Sequence, residues 1–146
     1  MLEYFYRERL CKRLVLCLED QVEKNREISI EIIQSMVEKV GFREESQIIL
    51  PAIAARMGKM PYPEQSEEVR VELIELLEAC LEADHLQFTP QIGVICGMLG
   101  KAAQDQNPEM KNKVASFCGQ LALTLDKTVG SYFKAVVDSL IANLTH

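Results

Sequence analysis

The chain has 146 residues, 48% of them hydrophobic, and a formal net charge of −6, which is enough apolar material for one core in a soluble intracellular domain. Its longest apolar run, Ile92 to Leu99, is interrupted by Gly93 and Gly97 and falls far short of the roughly 20 residues that span a bilayer. The start of the chain mixes Arg7, Arg9, Lys12 and Arg13 with acids and lacks a small-residue cleavage site, so it does not read as a signal peptide; Cys11, Cys17, Cys80, Cys96 and Cys118 form no CxxC pair and predict free, mostly buried thiols in a reducing compartment.

In chain order the apolar spacing predicts a first helix from Leu2 to Asp20, with Leu10, Leu14, Val15 and Leu18 inward. A short polar turn, Glu23-Lys24-Asn25, leads into a second helix from Arg26 to Val40, which Gly41 stops because glycine takes the left-handed cap conformation without steric cost. Ser46 is expected to cap the third helix, ending near Gly58. Pro61 and Pro63 make Lys59 to Pro63 a loop, and Ser66 followed by Glu68 starts the fourth helix. His85 marks the next turn. The fifth helix is expected to open after Thr89 with Pro90 at its first position, and Asn107 with Pro108 opens the sixth. Asp126 or Thr128 caps a seventh, from Val129 to Leu144. No β-alternating run of useful length interrupts this series, so the fold class is all-α.

The apolar positions recur every 41 residues: Ile28, Val69 and Met110, then Ile32, Leu73 and Val114, then Met36, Leu77 and Cys118, then Val40, Leu81 and Ala122. A second series runs through the intervening helices, with Ala54, Ile95 and Val136, then Gly58, Leu99 and Leu140. A period near 40 with two helices per unit is the mark of a helical solenoid, in which a helix pair cannot bury its own apolar face and stacks on its neighbours. The units fall at 1–41, 45–84 and 86–126, with a half unit at 128–146 whose helix is unpaired. Arg13 stands where the register asks for an apolar residue, so the repeat is weakest in the first helix. The register also puts His146 opposite Asp105, at the loop where a partner helix would begin. The chain is therefore expected to be a piece of a longer array, its last helix, with Phe133, Val136, Val137 and Leu140, lacking half its cover.

The charge is uneven. Residues 1–60 hold ten Lys/Arg and ten Asp/Glu, whereas residues 61–146 hold six and twelve, so the surplus lies in the second part. Between Glu64 and Asp84 eight acids face one base, Arg70. Spacings of three and four residues align Glu68, Glu72, Glu75 and Glu82 along one helical face, opposite Val69, Leu73, Leu77 and Leu81. Such a strip repels phosphate backbones and excludes nucleic-acid binding there. It is either a solvated outer face or a docking strip for a basic protein partner.

Catalytic and cofactor chemistry finds little to rest on. A metal site or a nucleophile-histidine dyad would depend on His85, since the other histidine, His146, is the last residue; with no second histidine near, His85 reads as a solvated turn residue. Cys96 and Cys118 fall on inward faces and read as small hydrophobes. Gly93, Gly97 and Gly100 are flanked by Gln91, Lys101 and Gln104, so they suit close helix approach rather than a membrane contact. No glycine-rich phosphate loop is present. The expectation is a non-enzymatic chain with no cofactor, no metal, no membrane contact and no small-molecule substrate.

The units resemble HEAT repeats, whose marks are a proline in the first helix, a loop rich in Asp, Asn and Pro, and a Val-Arg or similar pair opening the second helix. Leu50-Pro51, Glu68-Val69-Arg70 and the segment Asp105 to Lys111 carry that resemblance here. In HEAT arrays the loop acid and the base after the valine link neighbouring repeats, which implies a ladder of Asp105 with Arg70 or Lys111. The first unit has Ile28-Ser29 and no base, so the ladder is expected to end there.

Ile49 to Met57 and Glu67 to Leu77, with the closing Ile141 to His146, are similar to early repeats of the HEAT-repeat axonemal dynein assembly factor family over roughly residues 49–146. That resemblance implies a cytoplasmic scaffold for preassembly of axonemal dynein arms, acting with chaperones or co-chaperones on dynein chains. A tubulin-binding HEAT array is the alternative, disfavoured because the chain has no Trp and only Lys24, Arg26 and Lys59 lie near the inter-helix loops. A generic HEAT adaptor is the remaining one.

Overall fold

A computed structural model describes residues 1–125, 138, 141 and 142. The chain begins with a helix in pieces: α1 (Leu2–Phe5), a π-turn over Tyr6–Leu10, α2 (Cys11–Leu16) and a 3-10 turn over Cys17–Glu19. Five longer helices follow, α3 (Glu23–Val40), α4 (Ser46–Met57), α5 (Glu67–Ala83), α6 (Ile92–Ala102) and α7 (Pro108–Thr124), with no strand among the described residues. They pack in two layers. In one layer α3 lies against α5 and α5 against α7, while in the other α2 meets α4 and α4 meets α6. The fold is an all-α solenoid. Of the expected seventh helix, Asp138, Ile141 and Ala142 are described and are helical; its cap at Asp126 or Thr128 and its residues Phe133, Val136, Val137 and Leu140 lie outside the described residues.

Local chemistry explains most boundaries. Gly41 ends α3 at φ 104°, in the region open to glycine. The Ser66 hydroxyl accepts from the Val69 amide at 3.3 Å and the Asn107 side chain from the Met110 amide at 3.0 Å, each satisfying an orphan donor of a first helical turn. Pro51 lies inside α4, where it offers no N–H to the preceding turn. Gly58 closes α4, and a Cβ there would stand 2.5 Å from the Ala54 carbonyl oxygen.

Several expectations are corrected. Ser46 is the first residue of α4 rather than its cap; it is buried, and its hydroxyl donates to Gln87 Oε1 at 3.4 Å. Glu45 takes the cap position instead, and its carboxylate accepts from the Arg43 amide at 3.0 Å and pairs with Arg7. The fifth helix opens at Ile92, not after Thr89, because residues His85–Gln91 wind into a 3-10 turn that Asp84 caps by accepting from the Leu86 amide at 3.2 Å. That turn buries Phe88 between Phe42 and Phe117, with ring centroids 6.1 and 6.2 Å apart, an aromatic row tying three successive segments together.

The first helix differs for a geometric reason. Its buried residues are Tyr6, Cys11, Leu14 and Leu18, whereas Leu10 and Val15 are half-buried. A five-residue step from Tyr6 to Cys11 would leave a common face in an α-helix; here the Cys11 amide bonds the Tyr6 carbonyl across five residues, and this wider turn keeps both inward. Leu14 and Leu18, rather than Arg13 and Cys17, therefore hold the core positions, one residue away from the 41-residue register.

Three described members of that register are exposed. Ile28 and Ile32 are exposed on α3, and Ala122 is exposed near the end of α7. In α3 the core is instead Ser29, Ile30, Ile33, Met36 and Val37. The central helix α5 has long helices on both sides and buries nine residues, from Val69 to Leu81, on both flanks, while among the described helices α3 packs closely against just one long neighbour, α5.

Candidate functional site

Burial on both flanks leaves α5 one open ridge, and the acids occupy it. Glu68 and Glu82 are exposed at its two ends, and Glu72 and Glu75 are half-buried between them. Glu68 sits in the first turn, where the helix dipole favours a carboxylate. The ridge is not isolated. On α3, Glu27 and Glu31 raise the pKa of Glu72 above its ordinary 4.5, after the larger effect of burial and together with Glu75, against a small opposing effect of Lys24. Carboxylate oxygens of Glu23, Glu27 and Glu68 lie within 4.8 Å of one another, close enough to share a cation, although a surface cluster of acids does not by itself make a metal site. From the other side Lys113 on α7 approaches Glu75 at 3.7 Å and Glu78 at 3.8 Å.

The four glutamates picked out in the sequence thus form part of a wider acidic face shared by α3 and α5. Sequence reasoning missed Glu27 and Glu31, yet the signal was present: they precede Glu68 and Glu72 by the same 41 residues that relate the apolar positions. Glu72 holds its charge in an unfavourable place. Its raised pKa means that the folded chain binds its proton more tightly than the unfolded chain, so ionised Glu72 lowers stability as pH rises through the carboxylate range. Glu72→Gln is expected to raise the thermal midpoint at neutral pH and to have no effect at a pH well below 4.5, where both states are protonated; scanning calorimetry at the two pH values checks this.

Beneath that face the helix pairs are joined by buried charges. Arg70 donates to Asp105 from Nε at 2.7 Å and from Nη2 at 3.3 Å, so Arg70 rather than Lys111 makes the ladder contact. The ladder does not end at the first unit. Glu64, which precedes Asp105 by 41 residues and is fully buried, accepts from Arg26 at 2.6 and 2.8 Å and from Arg56 at 2.9 Å. Position 29 is indeed a serine, bonded to the Asn25 carbonyl, but Arg26 lies one turn earlier on the same face and supplies the cation. Arg70 also donates to the Glu64 carbonyl at 2.9 Å and stacks over the Tyr62 ring at 4.7 Å. Tyr62 in turn donates to the Lys101 carbonyl at 2.6 Å.

The thiols are held as thiols. Burial pushes Cys96 up to about 11 and Cys118 up to about 12, and raises Cys80 and Cys11 as well, which depletes the nucleophilic thiolate. All five cysteines are free, and Cys17 alone is half-buried. His85 is exposed at the head of the 3-10 turn, beside a cleft of about 390 Å³ that Glu78, Glu82, Gln120 and Thr124 also line. None of the helices described is long and apolar enough to cross a membrane. What this arrangement offers chemically is a cation-attracting face on a braced stack of helices.

Comparison with known proteins gives a consistent picture. The family model described as dynein axonemal assembly factor 5-like, TPR repeats, matches residues 1–146. Dynein axonemal assembly factor 5 of Xenopus laevis is 28% identical over 138 residues, covering 94% of this chain and 16% of that protein. The chain therefore spans a small part of the length of the curated relative it matches. No solved structure matches. The family description gives its repeats as TPR; the interval here is 41 residues, longer than the about 34 of a tetratricopeptide unit and within the range of HEAT-like pairs.

Proposed function

We propose, from the premise that this chain belongs to the dynein axonemal assembly factor 5-like repeat family, that it is a non-enzymatic, protein-binding scaffold segment acting in the cytoplasmic preassembly of axonemal dynein arms. The match of the family model over residues 1–146 carries this reading, and the similarity to the Xenopus laevis assembly factor supports it. Its partners are then axonemal dynein chains together with chaperones or co-chaperones. The binding segments are helix-pair units at 1–41, 45–84 and 86–126 with a half unit at 128–146, and the docking strip is Glu68, Glu72, Glu75 and Glu82, which takes a basic segment of a client or co-chaperone. Support for the strip comes from the place of Glu72 beside Glu27 and Glu31, a crowd of like charge that a cationic partner relieves.

Capture of axonemal dynein chains from ciliated-cell cytosol, set against co-sedimentation with tubulin, separates this function from a tubulin-binding array. Replacing Glu72 and Glu75 by Lys is expected to weaken that capture and flatten its salt dependence. The fold should survive, because neither side chain belongs to the apolar core and a lysine at position 72 meets Glu27 and Glu31. Equal capture by wild type and double variant at low salt would return the strip to a solvated face and move the search to the loops at Lys59 to Glu64 and Asp105 to Pro108.

A further inference from the structure

Ile28 and Ile32 are 41% and 37% exposed on α3. Their counterparts one repeat on, Val69 and Leu73, and two repeats on, Met110 and Val114, are at most 1% exposed. α5 lies against α3, and α7 against α5. The same ridge is thus covered wherever a further helix lies against it, and on α3 it is open. Separated by four residues, Ile28 and Ile32 make one row along the helix. Glu27 and Glu31, each one residue earlier, make a second row beside it, and this acidic row faces Glu72 on α5. Glu72 Oε2 is buried there with no hydrogen-bond donor.

We propose that this double row on α3 is a docking groove for an amphipathic helix of a protein partner, with apolar residues at i and i+4 seated on Ile28 and Ile32 and lysines or arginines beside them reaching Glu27, Glu31 and Glu72. The continuity of the apolar row with the covered rows of α5 and α7 specifies a helix as the occupant. Charge complementarity specifies its flank: a cation would relieve the repulsion among Glu27, Glu31 and Glu72 and give Glu72 Oε2 the donor it lacks. The inference deepens the reading of the acidic face as a docking site by adding the apolar anchors and the secondary structure of the partner.

The test uses the 146-residue chain and a fluorescein-labelled synthetic helix with leucines at i and i+4 spacing flanked by lysines, with an oligolysine peptide lacking leucines as the comparison. Ile28→Ser/Ile32→Ser is expected to weaken the leucine-lysine helix by about tenfold or more, the loss of two apolar anchors, and to leave oligolysine binding unchanged. Equal affinity of the variant and the wild type for the leucine-lysine helix overturns the groove. If Glu72→Lys/Glu75→Lys then still abolishes oligolysine binding, the acidic-face reading survives the failure of the groove. A leucine-glutamate helix that binds as tightly as the leucine-lysine helix overturns the proposal through its charge requirement. Hydrogen exchange on the unmodified chain gives a reading free of any folding defect: added leucine-lysine helix should protect amides of α3, and protection confined to other helices overturns the groove.

Discussion

Leu77→Ala is expected to destabilise the chain by about 2–5 kcal/mol, the range for removing a buried leucine side chain and leaving part of its volume empty. Leu77 is fully buried in α5, among Leu73, Ile74, Leu76 and Cys80, which are equally enclosed. The position is worse than average for collapse, because α5 is held from both sides by α3 and α7 and cannot move toward one without opening a gap at the other. Repeat stability is a sum of unit and interface energies, so both neighbouring helices should feel the change. Chemical denaturation would give the loss directly, and hydrogen exchange should show α3 and α7 losing protection along with α5. An unchanged midpoint would show that α5 is not the shared wall of two interfaces.

How far the residues announced this structure depended on whether one helix or two decided the matter. Where a local rule suffices, the reading held: Gly41 at the end of α3, Ser66 and Asn107 as caps, and Arg70 with Asp105 across a single junction. It faltered where the deciding neighbour is distant in the chain. Nothing in the residues around Ser46 says that Gln87 will meet its hydroxyl, or that Glu45 will be engaged by Arg7. The 41-residue period correctly marks Val69, Leu73, Met110 and Val114 as core, but a period knows nothing of position in a stack, so it gave Ile28 and Ile32 the same environment. The π-turn at Tyr6–Leu10 left only an indirect trace, the misplaced Arg13. The acidic face was half legible. Its α5 row stood out by composition, and its α3 row was hidden because Glu27 and Glu31 lie in a stretch balanced by Lys24 and Arg26. Applying the repeat to charged positions as well as apolar ones recovers them.

Glu64→Ala is expected to cost about 3–5 kcal/mol, as breaking a buried ion pair by removing one partner does. The glutamate is fully buried, and its two arginine partners are nearly so, with side chains 11% and 14% exposed for Arg26 and Arg56. Removing the carboxylate leaves both guanidiniums in a place from which water is largely excluded. The adjoining junction gives the control. Asp105→Ala should be costly for the same reason, whereas Arg70→Met with Asp105→Ala should recover much of the loss, since taking out both charges removes the uncompensated one. Glu68→Ala, at an exposed acid in the first turn of α5, should change stability by no more than about 0.5 kcal/mol. Denaturation midpoints of the four variants at one pH decide the matter, and high salt should narrow none of the differences much, because buried pairs are weakly screened. A loss at Glu64 no larger than at Glu68 would mean that the buried charges are spectators. The expected loss instead makes Arg26, Arg56 and Glu64 the brace that ties α3 and α4 to the loop leading into α5, and therefore helps to hold Glu27 and Glu31 beside Glu72. A chain weakened there should lose affinity for a basic helix before it unfolds, since the two acidic rows would no longer be held at one spacing.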